Sequence, residues 1–422
     1  MQEKEKPVII KNREELLFLL SEAATLEHMV MCQYLFASFS LKRGTEEGLT
    51  ASQFEAVNRW DQTISSVSVQ EMLHLSLANN LLTAIGGAPY LKHPNFPQRA
   101  KYFPSGVQMI LMPFGDKALR HFLYLERPEG MILKDAPGFE VHSAPVPATV
   151  GDEIVPEEQS YTTVGHLYRG IEEGIKYLAK KIGEKQLFIG PETAQATQEY
   201  FGWKELVTVR DLSSAVEAIE TIVVEGEGAR GNWEEAHYGK FYKTFQEFHE
   251  FKKNDPHFEP ARPVVPAYSV PPSDVENYEM ITDPVTCEVA ELFNASYEIL
   301  LQLLSRFFLH TDTTRAELKA LSDTAIDSMF NVIEPLGRLV TTLPVGKNQP
   351  GKTAGPCFEM YRREYILPHK HAAWMIVHER LLELSAFSHE IAKKQPSLTQ
   401  LETVGDSLSH HADLLAPHLK HV

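Results

Sequence analysis

Along the first 250 residues, apolar positions recur at alternating steps of three and four in four segments, the spacing of one buried helix face. The first predicted helix runs from about Glu14 to Leu41, with Leu16, Leu20, Ala23, Val30 and Tyr34 on that face. The second runs from about Gln53 to Ile85, with Trp60, Ile64, Val67, Ala78, Leu81 and Ile85, and stops at Gly86-Gly87 before Pro89. The third, Tyr161 to Ile182, carries Gly165, Tyr168, Ile175 and Ala179. The fourth starts after Asp211, a fitting N-cap, and carries Ala215, Ala218 and Ile222. It breaks at Gly-Glu-Gly-Ala-Arg-Gly (226–231) and resumes through His237, Phe241, Phe245 and Phe248.

Between the second and third helices, residues 86–160 are rich in Pro and Gly and include β-like runs such as Val-Gln-Met-Ile-Leu-Met at 107–112. A connection this long has structure or function of its own. It reads as a crossover that lets helices two and three run parallel and covers a pocket beside helices one and two. A proline-rich stretch, 252–284, reads as a linker. Beyond it, helical patterns return at about 286–310, 313–342 and 360–393, with a short terminal helix. The expected organisation is therefore mainly α: a four-helix bundle over 1–251 with its partly β crossover at 86–160, the linker, and a C-terminal helical domain over 285–422.

The polar residues that interrupt the apolar stripes carry the chemistry. Glu27 lies on the first stripe, Glu71 and His74 on the second, Glu172 on the third, and Glu225 and His237 on the two parts of the fourth. A carboxylate on a core-facing stripe loses its hydration, which is costly without a compensating partner. Two divalent cations would compensate all of them together. Di-metal carboxylate bundles use a Glu from each of two helices and a Glu-x-x-His from each of the other two. Glu71-Met-Leu-His74 fits that rule, while Glu173 falls with Arg169, Lys176 and Lys180 on the polar face of helix three. Glu225 and His237 would lie about 18 Å apart along an unbroken helix. Either the glycine-rich segment bulges out and returns His237 beneath Glu225, or Glu234-Glu-Ala-His237 is the second pair. The stripe favours Glu225. Carboxylate and imidazole donors suit two iron ions, or manganese.

Tyr34, Tyr168 and Trp60 read as core aromatics, with roles as donors to the site or as radical relays as the alternatives. His369, His371, His378, His389 and the His410-His411 pair lack a matching carboxylate pattern and read as surface or satisfied core histidines. The chain has 422 residues, 43% hydrophobic and 23% charged, enough for a sizeable core. Its net charge of −17, without a basic stripe, argues against nucleic acid. No signal peptide or membrane span is evident, and Cys32, Cys287 and Cys357 imply no disulfide framework, so a reducing cytoplasmic setting is expected.

The segments LSEAATLEHMVMCQYLFASFSL, VQEMLHLSLANNLLTAIGGAPYL and IVVEGEGARGNWEEAHYGKFYKTF resemble the ferritin-like domain of the iminophenyl-pyruvate dimer synthase family, which includes violacein- and rebeccamycin-type biosynthetic proteins. The likeness continues more loosely through LFNASYEILLQLL, EPLGRLVTTLPVG and AGPCFE. It implies a ferritin-like bundle with ligands at Glu27, Glu71, His74, Glu172, Glu225 and His237. The named synthases are larger and associated with haem, so imine dimerisation itself is not carried over. The expected function is a non-haem di-iron oxidase or oxygenase that takes dioxygen and a small organic substrate, such as an amino-acid-derived imine of secondary metabolism. A non-catalytic metal-binding or scaffold protein is the alternative. The sequence leaves the oligomeric state open, a homo-oligomer included.

Overall fold

Asn12 starts helix α1 (Arg13–Ser40) by accepting the Glu15 amide, and Thr50 and Gln53 form a reciprocal capping box at the start of α2 (Ala51–Ala84). Gly86, at φ +87°, ends α2 in the left-handed conformation that favours glycine. These two long helices pair along their predicted stripes, and every stripe position named above on them is buried. A computed structural model describes residues 7–98, 107–137, 139, 159, 161–226, 232–310, 313–361 and 369–419.

The other half of the bundle is built from four shorter helices. Helix α3 (Asp116–Leu125) packs on α8 (His237–Asn254), and α4 (Val164–Ile182) packs on α7 (Leu212–Gly226). Helices α1 and α2 contact both pairs: α1 touches α4, and α2 touches α7 and α8. The third and fourth bundle positions are thus each divided, and each division leaves helix termini in the interior. Two short turns, α5 (Glu184–Leu187) and α6 (Gln198–Phe201), link α4 to α7.

The described part of the crossover is more helical than its composition suggested, because the amphipathic α3 lies within it. The 107–112 run contributes an isolated antiparallel bridge between Met109 and Gln98 rather than a ladder. His121 anchors α3 to α1 by contacting Gln33 Oε1 (3.1 Å) on one side and Asp135 Oδ1 (2.9 Å) on the other.

The proline-rich stretch is not a free tether. Val264, Ala267 and Tyr268 are buried, and β1 (Val264–Pro266) pairs in parallel with β2 (Thr353–Gly355). Beyond it lie α9 (Pro284–Phe308), α10 (Arg315–Ser328), α11 (Glu334–Val340), α12 (Lys370–Lys394) and α13 (Gln400–Leu419). The terminal helix, expected to be short, has 20 residues. Helix α11 contacts α1, and one continuous apolar core joins the bundle to the C-terminal helices. Among the described residues, no helix is long and apolar enough to cross a membrane.

Candidate metal centre

Glu27 on α1 and Glu71 and His74 on α2 meet in the interior, each about 2% exposed. His74 Nδ1 lies 3.2 Å from Glu71 Oε2 and 3.8 Å from Glu27 Oε2. Its other nitrogen, Nε2, lies 3.0 Å from Glu225 Oε2 at the end of α7. His237 opens α8 and places Nδ1 2.9 Å from Glu71 Oε1, with its ring stacked on His74 at a centroid separation of 5.4 Å. The gap between α7 and α8 therefore returns His237 to the level of Glu225, as the bulge reading required; residues 227–231 lie outside the described part. Glu234, the rival, is exposed.

One predicted ligand stands elsewhere. Glu172 is the one predicted stripe position on α4 that is not buried, and its carboxylate pairs with Lys176 Nζ at 2.5 Å, one turn along the same helix. From α4 it is Tyr168 that reaches the centre, donating its hydroxyl to Glu27 Oε1 at 2.7 Å. A carboxylate the sequence reading missed occupies the remaining side. Glu126, directly after α3, lies with Oε2 3.5 Å from His237 Nδ1 and accepts a hydrogen bond from Tyr34. The signal was present, since Leu119, Phe122 and Glu126 continue the three-four spacing, but the surrounding Pro and Gly concealed it. Tyr34 and Tyr168 are therefore donors to site carboxylates as well as core aromatics. Trp60 is a core residue, stacked on Phe114 and bonded to Glu247 Oε2 at 2.7 Å.

The assembled set is four glutamates (27, 71, 126 and 225) and two histidines (74 and 237), the same donor inventory as a di-metal carboxylate bundle. Burial pushes the Glu27 carboxyl up to about 7, and burial with Glu71 nearby raises Glu126 as well. Glu71 is also buried, yet His237 and His74 outweigh burial and hold it below the ordinary range. Burial opposes charge on both imidazoles. Neighbouring carboxylates overcome it, raising His237 to about 9 and His74 well above its usual value. Without a cation, these groups neutralise one another only by holding protons.

That arrangement leaves a polar deficit. His237 is fully buried and approaches Glu71, yet neither of its nitrogens has a hydrogen bond of acceptable geometry. A buried imidazole without hydrogen bonds is costly. Glu71, His74 and His237 each offer a donor atom, all within 4.8 Å of one another. Four carboxylates balance two divalent charges, so the residues fit a pair of cations. Glu225, with its side chain 21% exposed, is the site member most open to solvent.

Among the described residues, the C-terminal histidines show no comparable buried grouping. His389 pairs with Glu402 at 2.9 Å, and His411 pairs with Asp327 at 2.6 Å. The three cysteines are free.

Residues 20–247 match the ferritin-like family. The chain is 27% identical over 409 residues to dichlorochromopyrrolate synthase of Lentzea aerocolonigenes, covering 89% of this chain and 39% of that protein. It is also 27% identical over 370 residues to 2-imino-3-(indol-3-yl)propanoate dimerase of Chromobacterium violaceum, covering 83% of this chain and 34% of that one. It thus spans only two fifths or less of the length of these relatives. The crystal structure of a ferritin-like protein from Caulobacter vibrioides superposes with a TM-score of 0.46 at 18% identity, over 74% of this chain and 96% of that one.

Proposed function

The chain belongs to the ferritin-like family, and on that premise we propose that it is a non-haem di-metal oxidase or oxygenase. Its ligands are Glu27, Glu71, His74, Glu126, Glu225 and His237, and iron is the metal, with manganese as the chemical alternative. The observation that carries this reading is the buried, hydrogen-bond-deficient His237 within a group of four carboxylates and a second imidazole. A bound iron pair would supply the electrons for dioxygen activation.

The chain's own residues do the rest. Tyr168 and Tyr34 hold Glu27 and Glu126 in place through their hydroxyls. The buried core around them keeps bulk water away, and Glu225, partly exposed, is the side open to solvent. The relatives are named for making dichlorochromopyrrolate and for dimerising an indolyl imino acid. The proposed substrate class is accordingly a small amino-acid-derived imine. Dimerisation is not assigned, because the chain spans so little of either relative.

Metal analysis of untagged protein, wild type beside His74→Ala, tests the centre. Reconstitution with ferrous iron under anaerobic conditions should give about two irons per chain, falling sharply in the variant. No iron in either protein would overturn the metal reading. Oxygen uptake by the loaded protein with aromatic 2-imino acids then tests the catalytic part. Full loading without any uptake leaves a non-catalytic metal-binding protein.

A further inference from the structure

On a different face of α1 from Glu27 lies a second group of donors that the carboxylate centre does not use. His28 and Cys32 are one helical turn apart on α1, and His93 comes from the loop after α2. Their nearest donor atoms, one from each residue, lie within 4.8 Å of one another. All three residues are buried: His28 and Cys32 completely, His93 to 5% exposure. Tyr297 of α9 closes the group, with its hydroxyl on His28 Nε2 and 3.5 Å from Cys32 Sγ.

The hydrogen bonds leave a lone pair unused on His93. His93 Nδ1 lies 2.8 Å from the Pro94 carbonyl oxygen, which can only accept, so Nδ1 carries the proton. The opposite nitrogen, Nε2, is then a bare acceptor, and it is buried with no partner. His28 has the Tyr297 hydroxyl on Nε2 and a backbone contact with Leu91, so it would exchange a hydrogen bond for a metal bond. A backbone carbonyl on one imidazole nitrogen is the usual way proteins fix a metal-ligating tautomer. The two rings meet edge to face at 4.6 Å, which two imidazoles aimed at one point can adopt. Buried acceptors in a satisfied core are given a donor, which His93 Nε2 lacks.

We propose that His28, Cys32 and His93 form a second, mononuclear site for a thiophilic divalent ion of the zinc class, with the Tyr297 hydroxyl as the adjacent oxygen donor. Two imidazoles and a thiolate are a donor set that zinc favours over calcium or magnesium. Zinc–nitrogen and zinc–sulfur bonds of about 2.0 and 2.3 Å place the tetrahedral donors of such a site about 3.3–3.5 Å apart. The observed spread requires only a small closure, within reach of side-chain torsions in the loop bearing His93. Binding breaks the Cys32 S–H bond and forms a metal–sulfur bond, and the proton leaves to solvent, so uptake strengthens as pH rises. A cavity of about 100 Å³, lined by His28, Tyr297, Met31, Phe39, Met72 and Leu304, adjoins the site. The ion would tie α1, the loop after α2 and α9 together, fastening the bundle to the C-terminal helices.

Cobalt(II) titration of the full chain separates this site from the carboxylate centre, because only a thiolate ligand gives an intense near-ultraviolet charge-transfer band. The band should grow to one equivalent in wild type, vanish in Cys32→Ser and weaken at least tenfold in affinity in His93→Gln, with circular dichroism unchanged. X-ray absorption of the zinc form should show one sulfur at about 2.3 Å. No band in wild type, or a band that survives Cys32→Ser, overturns the site. Should Cys32→Ser fail to fold, His93→Gln decides: a band retained at wild-type affinity overturns it equally. Loss of iron binding in His74→Ala leaves this band in place, so the two centres stand or fall separately.

Discussion

Glu225 and His237 meet at one imidazole: Glu225 Oε2 lies 3.0 Å from His74 Nε2, and the His237 ring stacks on the same His74. Twelve positions separate them in the chain, so the fourth bundle position must be interrupted for both to serve one centre. The same interruption makes His237 the first residue of α8 and places Glu225 in the last turn of α7. On the other divided position, Glu126 follows α3 directly. Three of the six proposed donors thus sit at helix ends, where a side chain can be aimed independently of the 3.6-residue period.

That placement separates Glu126 from Glu172. Glu126→Gln should weaken metal affinity by roughly ten- to a hundredfold, the loss typical of disturbing a metal's close surroundings or more. Glu172→Gln should leave metal content near wild type, since Glu172 is engaged with Lys176. Metal analysis after identical reconstitution reads both. The reverse pattern would restore Glu172 as the ligand and remove Glu126.

The pair also shows what the sequence could reveal. Glu27, Glu71 and His74 were legible because α1 and α2 are long and uninterrupted, so one period places every side chain. Glu172 obeyed the same period, yet it lies near the edge of its stripe, where a lysine one turn away competes for it. Glu126 was hidden because α3 has only ten residues and stands in a Pro- and Gly-rich region. Tertiary contacts also decided the role of the proline-rich stretch. Composition marks 252–284 as a linker, but Ser269 binds Glu359 and Asn294 donates to the same carboxylate at 2.9 Å, which is a packing fact with no local signature.

Tyr168 orients Glu27, and its loss is separable from loss of the ligand. Tyr168→Phe keeps the ring and removes one buried hydrogen bond of 2.7 Å. The metal-free variant should lose about 1–3 kcal/mol of stability. Metal affinity should fall about tenfold, as for other groups that hold a ligand in position. Denaturant unfolding and competition with a chelator measure the two effects. Unchanged values in both would mean that Glu27 needs no such partner.

Gly170 on α4 provides a packing test whose sign opposes helix propensity. Replacing a helical glycine by alanine ordinarily gains about 1 kcal/mol. Here the added Cβ would lie 2.3 Å from Val8 Cβ, so the amino-terminal segment would have to move. Overpacking of this kind costs about 1–3 kcal/mol. Gly170→Ala should therefore lower the Tm, and it should cost less in a Val8→Gly background. A rise in Tm would show that the segment yields freely.

His411 of α13 supplies the pH test, away from either centre. Its Nε2 lies 2.6 Å from Asp327 Oδ2, its Nδ1 lies 3.2 Å from the Ser328 hydroxyl, and His410 is its neighbour on the same helix. Burial lowers its pKa, and His410 adds to that, although Asp327 acts in the other direction. The unfolded chain, with an imidazole near 6.5 (about the free value), therefore binds a proton that the folded chain resists. Stability contributed by neutral His411 is present above that value and is lost as pH falls below it. Urea unfolding between neutral and mildly acidic pH should show wild type losing stability more steeply than His411→Gln. Equal slopes would mean that Asp327 cancels the burial effect. A steeper slope in the variant would mean that the folded protein favours the charged imidazole, with Asp327 outweighing burial.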